Sequence, residues 1–275
     1  MTTATVEQLV RQLQRLPAHR ASATRVLRLV DDPQSSAADL GSAISTDPSM
    51  TARLLKMANS AAMARQVPVS TVAEAVTVLG YSVVRSLAVS WAAGLFDGGP
   101  RALPKGYWQH SIVVASGAVR LGELLGVPSG AAYSAGLLHD LGQPLLLRFD
   151  PSRYRRLLRE ETIDTPKQCE RERVAYGHDH AEVGALVLRS WALPDDLVDA
   201  VANHHRSMTP EDPPLRRAVA LAELVAQHAR TAAAPEPEAL ERLEMDMARA
   251  GLPRVSAENL LDDLRTDVAD TALAM

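Results

Sequence analysis

The stretch that decides the fold is residues 133–147, Tyr-Ser-Ala-Gly-Leu-Leu-His-Asp-Leu-Gly-Gln-Pro-Leu-Leu-Leu. Most of its side chains are apolar or small, as in a helix that is buried inside a protein. His139 and Asp140 are the exception, and they stand side by side where this helix should end. Unpaired buried polar groups are costly, so these two side chains need partners. A bound metal ion or a network of hydrogen bonds would each satisfy them.

The composition favours helices throughout the chain. Of the 275 residues, 44 are Ala and 37 are Leu, which are among the residues that cost least in a helix. Phe, Trp and Tyr together make up only 4%, and β-strands are rich in such residues. The sequence therefore predicts an all-α protein, in which an N-terminal helical lobe packs on a helical bundle that contains the His-Asp pair.

The clearest break in the pattern is Asp97 to Lys105, which reads Asp-Gly-Gly-Pro-Arg-Ala-Leu-Pro-Lys. It predicts an N-terminal lobe at residues 1–97 and a bundle at residues 104–230. An Ala/Pro/Glu-rich link then predicts a separate C-terminal helical extension at residues 231–275.

Helix signals are explicit in the N-terminal lobe. Apolar residues three and four positions apart predict a first helix at residues 6–16. Ser36 with Asp39, and Thr71 with Glu74, have the spacing of capping boxes, which predicts that helices start there.

The helix that starts after Thr71 is predicted to end at Gly80, and a nearly all-apolar helix follows at Ser82–Phe96. The second stretch is shorter than the roughly 18 apolar residues of a membrane span, and it contains Arg85. It therefore predicts a buried helix at the interface between the two lobes, and no membrane contact is expected.

Charge and cysteine content exclude several classes of protein. The formal net charge of -4 gives no field for phosphate backbones, which argues against nucleic-acid binding. The single Cys169 excludes an internal disulfide framework and a multi-cysteine zinc site, and it suits a reducing compartment. The first residues carry charged and Gln side chains before any apolar run, unlike a signal peptide. We expect a cytoplasmic protein.

Six of the eight histidines lie between residues 110 and 205. Neutral imidazole and carboxylate groups are ligands for Zn, Mn, Fe and similar divalent ions. The candidate set joins the His-Asp pair to other histidines of this region: His110, His139, Asp140, His180, His204 and His205. His178 is interpreted instead as a cap for the helix that opens at Asp179.

These segments together resemble the HDOD domain, the HD-related output domain of bacterial signalling, within the HD superfamily of metal-dependent phosphohydrolases. The resemblance covers about residues 16–225, and its motifs occur in the right order, which is far more specific than a lone His-Asp pair. The motifs are Asp47-Pro48 with Leu54–Ser60, Pro68–Gly80, Trp108–Ser111, Tyr133–Leu147, Glu172–Ala185, Trp191–Pro194 and His204-His205.

The resemblance implies an all-α, HD-like bundle with a metal site. The residues that match a first metal's ligands, with a Glu where an Asp is usual, are His110, His139, Asp140 and Glu223. The residues that match a second metal in the binuclear branch of the superfamily are His180, His204 and His205. The implied cofactor is a divalent metal such as Mn, Fe, Zn or Ni.

One departure from the superfamily concerns phosphate recognition. In its cyclic-dinucleotide phosphodiesterase branch a Lys follows the His-Asp pair by three positions, and this chain has Gln143 there. A Gln cannot supply a positive charge to a phosphate. Arg153 belongs to a basic cluster that is either a solvated helix face or a contact for an anion. Gln143 and Arg153 are the residues that we expect a phosphate or nucleotide to meet.

The resemblance implies two functions of different classes. One is a regulatory signalling module that acts through contacts with a signalling protein, with a metal or a nucleotide, such as a cyclic dinucleotide, held at the HD site. The other is a metal-dependent phosphohydrolase or phosphodiesterase that acts on nucleotides or cyclic dinucleotides. Gln143 favours the first and the intact histidine set favours the second, so enzymatic activity is left open, with its absence preferred.

Overall fold

The computed structural model describes residues 21–59, 69–93, 103–104, 106–159, 165–190, 193–229, 237–252 and 256–264. Within these ranges every regular element is a helix and no strand occurs, which confirms the all-α prediction. The helices are α1 (Ala21–Val30), α2 (Ala37–Ile44), α3 (Pro48–Ala58), α4 (Val72–Ala92), α5 (Tyr107–Leu124), α6 (Ser129–Leu138), α7 (Gly142–Phe149), α8 (Pro151–Arg159), α9 (Thr165–Tyr176), α10 (His180–Ser190), α11 (Asp195–Asn203), α12 (Pro214–Ala229), α13 (Pro237–Arg249) and α14 (257–264).

Some sequence predictions concern residues outside these ranges. The helix at 6–16 is one of them. The break at 97–105 lies outside as well, apart from residues 103–104, and so does most of the link that begins at 231.

Both predicted capping boxes form. The hydroxyl of Ser36 accepts a hydrogen bond from the backbone N–H of Asp39, while the Asp39 carboxylate accepts one from the backbone N–H of Ser36. Thr71 and Glu74 make the same reciprocal pair at the start of α4. The carboxylate of Asp47 accepts from a backbone N–H in the first turn of α3 at 3.1 Å. These side chains satisfy N–H groups that a helix start leaves without partners.

The predicted helix end at Gly80 is a kink inside α4. Gly80 has φ 79° and ψ 159°, a conformation that favours glycine, and helical geometry resumes after it as far as Ala92. The apolar helix predicted from Ser82 is therefore the second half of α4, and residues 94–96 of that prediction lie outside the described ranges.

The apolar stretch expected to be too short for a membrane span belongs to a longer helix, because α4 as a whole is long and apolar enough to cross a membrane by length and composition alone. Half of its most apolar window is nevertheless buried inside the protein. Arg85, in the second half of α4, forms an ion pair with Asp31 next to α1. Core helices of soluble proteins can have the same length and hydropathy. The contacts of α4 with the rest of the chain are typical of such a core helix.

Buried apolar side chains form two clusters that meet at α6. One cluster gathers α1 to α4 and also contains Ala115 of α5 and Tyr133 and Leu137 of α6. The other fills the bundle and contains Ala135 and Leu138 of the same α6. α6 is therefore a physical link between the N-terminal lobe and the bundle, while the domain limits at 97 and 104 stay predictions.

Two glycines allow backbones to touch inside the bundle. A Cβ atom on Gly136 of α6 would lie 2.7 Å from the Cα and 2.9 Å from the backbone nitrogen of Ala115 in α5. A Cβ atom on Gly142 of α7 would lie 1.9 Å from the carbonyl oxygen of His180 in α10. No side chain fits at either place, so both positions require glycine for close packing.

We expect Gly136→Ala to lower the free energy of unfolding by about 1–3 kcal/mol, because the added methyl group would force α5 and α6 apart. Urea or thermal unfolding measures the change. Gly130→Ala is the matched control in the same helix, since its Cβ would meet Ser82 at an ordinary 3.4 Å. Equal stability of the two variants would contradict the close approach of α5 and α6.

Candidate metal centre

Three side chains from separate helices meet inside the bundle. His110 lies in the first turn of α5, His139 directly follows α6, and Glu223 lies in α12. Nε2 of His110 is 3.1 Å from Nε2 of His139 and 2.9 Å from Oε2 of Glu223. Nε2 of His139 is 3.3 Å from the same carboxylate oxygen. All three side chains are buried, and together they form cluster A.

Asp140 lies between cluster A and a second group of histidines. Its Oδ2 is 3.5 Å from Nε2 of His110 and 3.4 Å from Nε2 of His139. Its Oδ1 is 3.1 Å from Nε2 of His180 and 3.7 Å from Nε2 of His204. A carboxylate that turns one oxygen to each group has the arrangement needed to bridge two cations.

Cluster B is the second group, and its members are Asp140, His180, His204 and His205. His180 is the first residue of α10, and the two adjacent histidines directly follow α11. Nε2 of His180 is 2.9 Å from Nε2 of His205, and the rings of His204 and His205 have centroids 3.8 Å apart. Each residue of cluster B offers a ligand atom within 4.8 Å of the others, which is the density of donors that a metal ion requires.

Backbone carbonyl groups fix the orientation of two histidines. Nδ1 of His139 donates to the carbonyl oxygen of Gly136 at 2.7 Å, and Nδ1 of His204 donates to that of Val201 at 2.7 Å. A carbonyl oxygen can only accept, so Nδ1 carries the proton in both rings. Nε2 is then the nitrogen available to a cation, and it is the one that each ring directs into the clusters.

Glu172 of α9 does the same for His180 with a carboxylate. Its Oε2 accepts from Nδ1 of His180 at 2.6 Å and from the backbone N–H of His180 at 2.8 Å. Its Oε1 accepts from the hydroxyl of Tyr154 at 2.7 Å and from Gln168 at 3.0 Å. A carboxylate behind a ligating histidine orients the ring and raises its basicity, as in many metal sites.

Four buried polar atoms of the clusters have no hydrogen bond within the described structure: Nδ1 of His110, Oδ1 of Asp140, Nε2 of His204 and Oε2 of Glu223. Leaving such an atom without a partner costs about 1–3 kcal/mol. Three of them lie within 3.7 Å of a nitrogen or oxygen atom of another residue of the clusters. Imidazole nitrogen and carboxylate oxygen suit Zn, Mn, Fe or Ni, and the residues present therefore fit a divalent metal.

Opposing effects set the charges of the clusters. Burial alone lowers the pKa of His139, but the carboxylates of Asp140 and Glu223 outweigh burial and raise this pKa to about 10. Burial opposes ionisation of the two carboxyl groups, yet neighbouring histidines hold both of their pKa values well below the usual range. Burial, and then the adjacent His204, lower the pKa of His205. The carboxylates thus require a positive charge, which a divalent cation can supply in place of a proton.

The structure brings together all seven residues predicted as metal ligands, and their role as ligands stays a prediction. Gln143 lies beside them, because its side-chain amide donates to Oδ2 of Asp140 at 2.8 Å. Arg153 is placed differently. Its backbone N–H donates to Asp150 at 3.1 Å, and its guanidinium carbon lies 5.2 Å from the ring centroid of Tyr176. These contacts are not with either cluster.

Sequence reasoning missed the residues that support the ligands. Tyr154 and Glu172 were not assigned to the site, although Glu172 opens one of the motifs. The side-chain amide of Gln227, one turn after Glu223, donates to Oε1 of Glu223 at 2.9 Å, and no sequence motif marks this contact. The prediction that His178 caps α10 is wrong. The carboxylate of Asp179 accepts from a backbone N–H of the first turn at 2.8 Å, so Asp179 is the cap.

Comparison with known proteins agrees with this geometry. The family model of the HDOD domain matches residues 16–207. The chain is also 24% identical over 214 residues to an uncharacterised protein of Treponema pallidum strain Nichols. That match covers 74% of this chain and 40% of the other protein, so the chain spans well under half of the length of this curated relative.

Solved structures resemble the fold over most of its length. A crystal structure from Shewanella amazonensis SB2B, named "Putative phosphohydrolase", is 25% identical with a TM-score of 0.72, and the match covers 98% of both chains. The MmoQ response regulator of Methylococcus capsulatus strain Bath is 28% identical with a TM-score of 0.53, over 88% of this chain and 96% of that chain. An HDOD domain protein of unknown function from Geobacter sulfurreducens, 23% identical with a TM-score of 0.67, shares the fold over 99% of this chain and 98% of that chain.

We expect the purified protein to bind two divalent ions per chain, one at each cluster. Asp140→Ala should lose both ions because the two clusters share this carboxylate, whereas His205→Ala should keep the ion of cluster A. Elemental analysis after dialysis against Mn, Zn, Fe or Ni measures the stoichiometry. At 100 times its Kd, a metal would stabilise the wild type by about 2.7 kcal/mol and so raise its Tm.

His228→Ala is the matched control, because this histidine lies in α12 but outside both clusters. It should bind metal like the wild type. A wild-type protein that retains none of the four metals and shows no rise in Tm with them would refute the metal centre.

Proposed function

Because the chain belongs to the HDOD family, we propose that it is a regulatory signalling protein whose two histidine clusters hold divalent metal ions. The bound metals, together with an anionic ligand such as a phosphate group of a nucleotide, would set the state that a signalling partner reads. The observation that carries this proposal is the convergence of buried donor atoms around Asp140, four of them without a hydrogen bond. We infer a cytoplasmic site of action from the single buried cysteine, Cys169.

The ligands divide between the two ions as the two clusters divide. His110, His139 and Glu223 would hold the first, Asp140 would bridge, and the histidines of cluster B would hold the second. A metal pair held there would supply Lewis acidity and would activate a bound water molecule. Glu172 and two backbone carbonyl groups keep the rings oriented toward the ions, so this chain's own contribution is a rigid, preoriented ligand set.

Gln143 supports regulation over turnover. Its amide donates to Oδ2 of Asp140, so the side chain that follows the His-Asp pair by three positions is neutral and occupied with a ligand carboxylate. Hydrolysis of a phosphodiester needs compensation for charge that develops on the phosphoryl oxygens. The guanidinium of Arg153, the other predicted phosphate contact, lies over the ring of Tyr176. A phosphate could bind to the metals here without this cationic assistance to catalysis.

The position of α6 supports transmission of the bound state to the N-terminal lobe. Tyr133 and Leu137 are buried in the core of that lobe, and His139 follows at the end of the same helix. A shift of His139 on metal or ligand binding would move side chains that the N-terminal lobe is packed against. Packed interfaces respond to such shifts by changing between discrete arrangements, which a partner protein can recognise.

The second candidate function is a metal-dependent phosphohydrolase or phosphodiesterase acting on nucleotides or cyclic dinucleotides. One specific observation favours it: Asp140 directs one oxygen to each cluster, so the residues of the two clusters would hold a pair of cations that could supply Lewis acidity to a phosphoryl transfer. An enzyme with this arrangement would also need a positive charge near the phosphate, which the neutral side chain of Gln143 does not supply.

We expect metal-loaded wild-type protein to bind but not turn over cyclic dinucleotides and nucleoside phosphates. Gln143→Lys should gain phosphodiester hydrolysis, because one electrostatic donor is worth about 10²–10³ in rate. Product formation is followed by chromatography, and nucleotide binding by calorimetry.

Gln34→Lys is the control for added positive charge, since Gln34 is exposed and far along the chain from the clusters. It should remain inactive. Sustained turnover by the wild type that disappears in Asp140→Ala would overturn the regulatory proposal and establish the second candidate.

A further inference from the structure

A groove of about 390 Å³ lies between α8 and α9, apart from the two metal clusters. Three guanidinium groups line it, with one carboxylate: Arg153, Arg156, Arg171 and Glu170. Leu157 and Val174 add apolar surface, and Val174, in the last turn of α9, is 80% exposed. The groove therefore combines excess positive charge with an apolar side chain that water surrounds.

The arginines of the groove are positioned to recognise carboxylates. The guanidinium of Arg153 lies against the ring of Tyr176, which is fully buried, so an aromatic face holds it in place. Arg156 is on the next turn of α8, and Arg171 lines the same groove from α9. Guanidinium groups bind carboxylates through paired, parallel hydrogen bonds. An arginine side chain that is already held in place loses less conformational entropy when it binds a carboxylate.

We propose that this groove binds an acidic segment of a partner protein, in which carboxylates flank one apolar side chain. The carboxylates would meet Arg153, Arg156 and Arg171, and the apolar side chain would cover Val174. Arginine is enriched at protein–protein interfaces and among the residues that contribute most to their binding energy. A small polyphosphate suits the groove less well, because small-molecule sites enclose most of their ligand and this groove leaves Val174 80% exposed.

The same two helices carry the residues that orient His180. Tyr154 stands between Arg153 and Arg155 on α8, and its hydroxyl donates to Glu172 of α9 at 2.7 Å. Glu172 in turn accepts from Nδ1 of His180 at 2.6 Å. A segment that contacts the arginines of both α8 and α9 would keep the two helices together and so stabilise the hydrogen bond between Tyr154 and Glu172. We therefore expect it to tighten metal binding at cluster B, a coupling that rests on the proposed metal function.

The groove itself is tested with metal-free protein and fluorescein-labelled decapeptides that place one Leu at varied positions among Glu and Asp. Fluorescence anisotropy should show binding that weakens at least about tenfold in the double variant Arg156→Glu/Arg171→Glu. Arg155→Glu is the matched control, because Arg155 is exposed on the same helix and does not line the groove. It should leave the Kd within about twofold.

Three outcomes would overturn the docking proposal. One is that no acidic decapeptide binds, and another is that Arg155→Glu weakens binding as much as the double variant does. The third is that pyrophosphate or ATP binds through Arg156 and Arg171 while the peptides do not, which would make the groove a small-anion site.

The coupling is tested by titrating the protein with Mn²⁺ in the presence and absence of saturating peptide, and electron paramagnetic resonance measures the amount of bound Mn²⁺. The peptide should lower the Kd for Mn²⁺ about fivefold or more in the wild type. In Tyr154→Phe the peptide should bind equally well and the Mn²⁺ shift should disappear. Peptide binding without any Mn²⁺ binding would reject the metal function alone, whereas Mn²⁺ binding without peptide binding would reject the groove alone.

Discussion

The carboxylate of Asp140 is 4% exposed and stands among four imidazole rings, and the bundle is arranged around it. A buried charge is tolerated only when partners surround it. Here the partners arrive from α5, α6, α10 and the end of α11, and none of them would be near Asp140 unless these helices packed as they do. The ligand set and the fold therefore depend on each other, and a divalent cation that binds the set would also stabilise the folded bundle.

Close backbone contacts give this arrangement its precision. Gly136 is one turn before His139, and it lets α6 lie directly on α5, which carries His110. The carbonyl of the same Gly136 accepts the Nδ1 proton of His139, so one residue sets both the helix crossing and the ring tautomer. Gly142 likewise allows α7 to pack closely against α10, because a Cβ atom there would collide with the backbone of His180. Backbone atoms cannot change rotamer, so ligands oriented by them are held more firmly than ligands oriented by side chains.

The sequence predicts the parts of this structure that have local causes. Capping boxes at Ser36 and Thr71 mark helix starts because both partners lie within four residues, and the His-Asp pair is conspicuous because its neighbours are apolar. Contacts between distant segments have no such signature. Glu172 is 32 residues from Asp140 in the numbering and Tyr154 is on another helix, so spacing could not assign them to the ring of His180. Gln143 and Arg153 look like neighbours in sequence, yet packing turns one to Asp140 and the other to Tyr176.

Two helices connect clusters A and B to other parts of the molecule, in different directions. α6 ends at Leu138, directly before His139, and buries Tyr133 and Leu137 in the core of the N-terminal lobe. α9 holds Glu172 behind His180 and presents Arg171 and Val174 at the surface. A change in either cluster cannot be absorbed locally, because interiors are close-packed and the histidines are tied to backbone atoms or to Glu172. These connections support the proposal that the clusters pass the state of a bound ion to the rest of the molecule, and the neutral side chain of Gln143 at the proposed phosphate contact supports the same proposal.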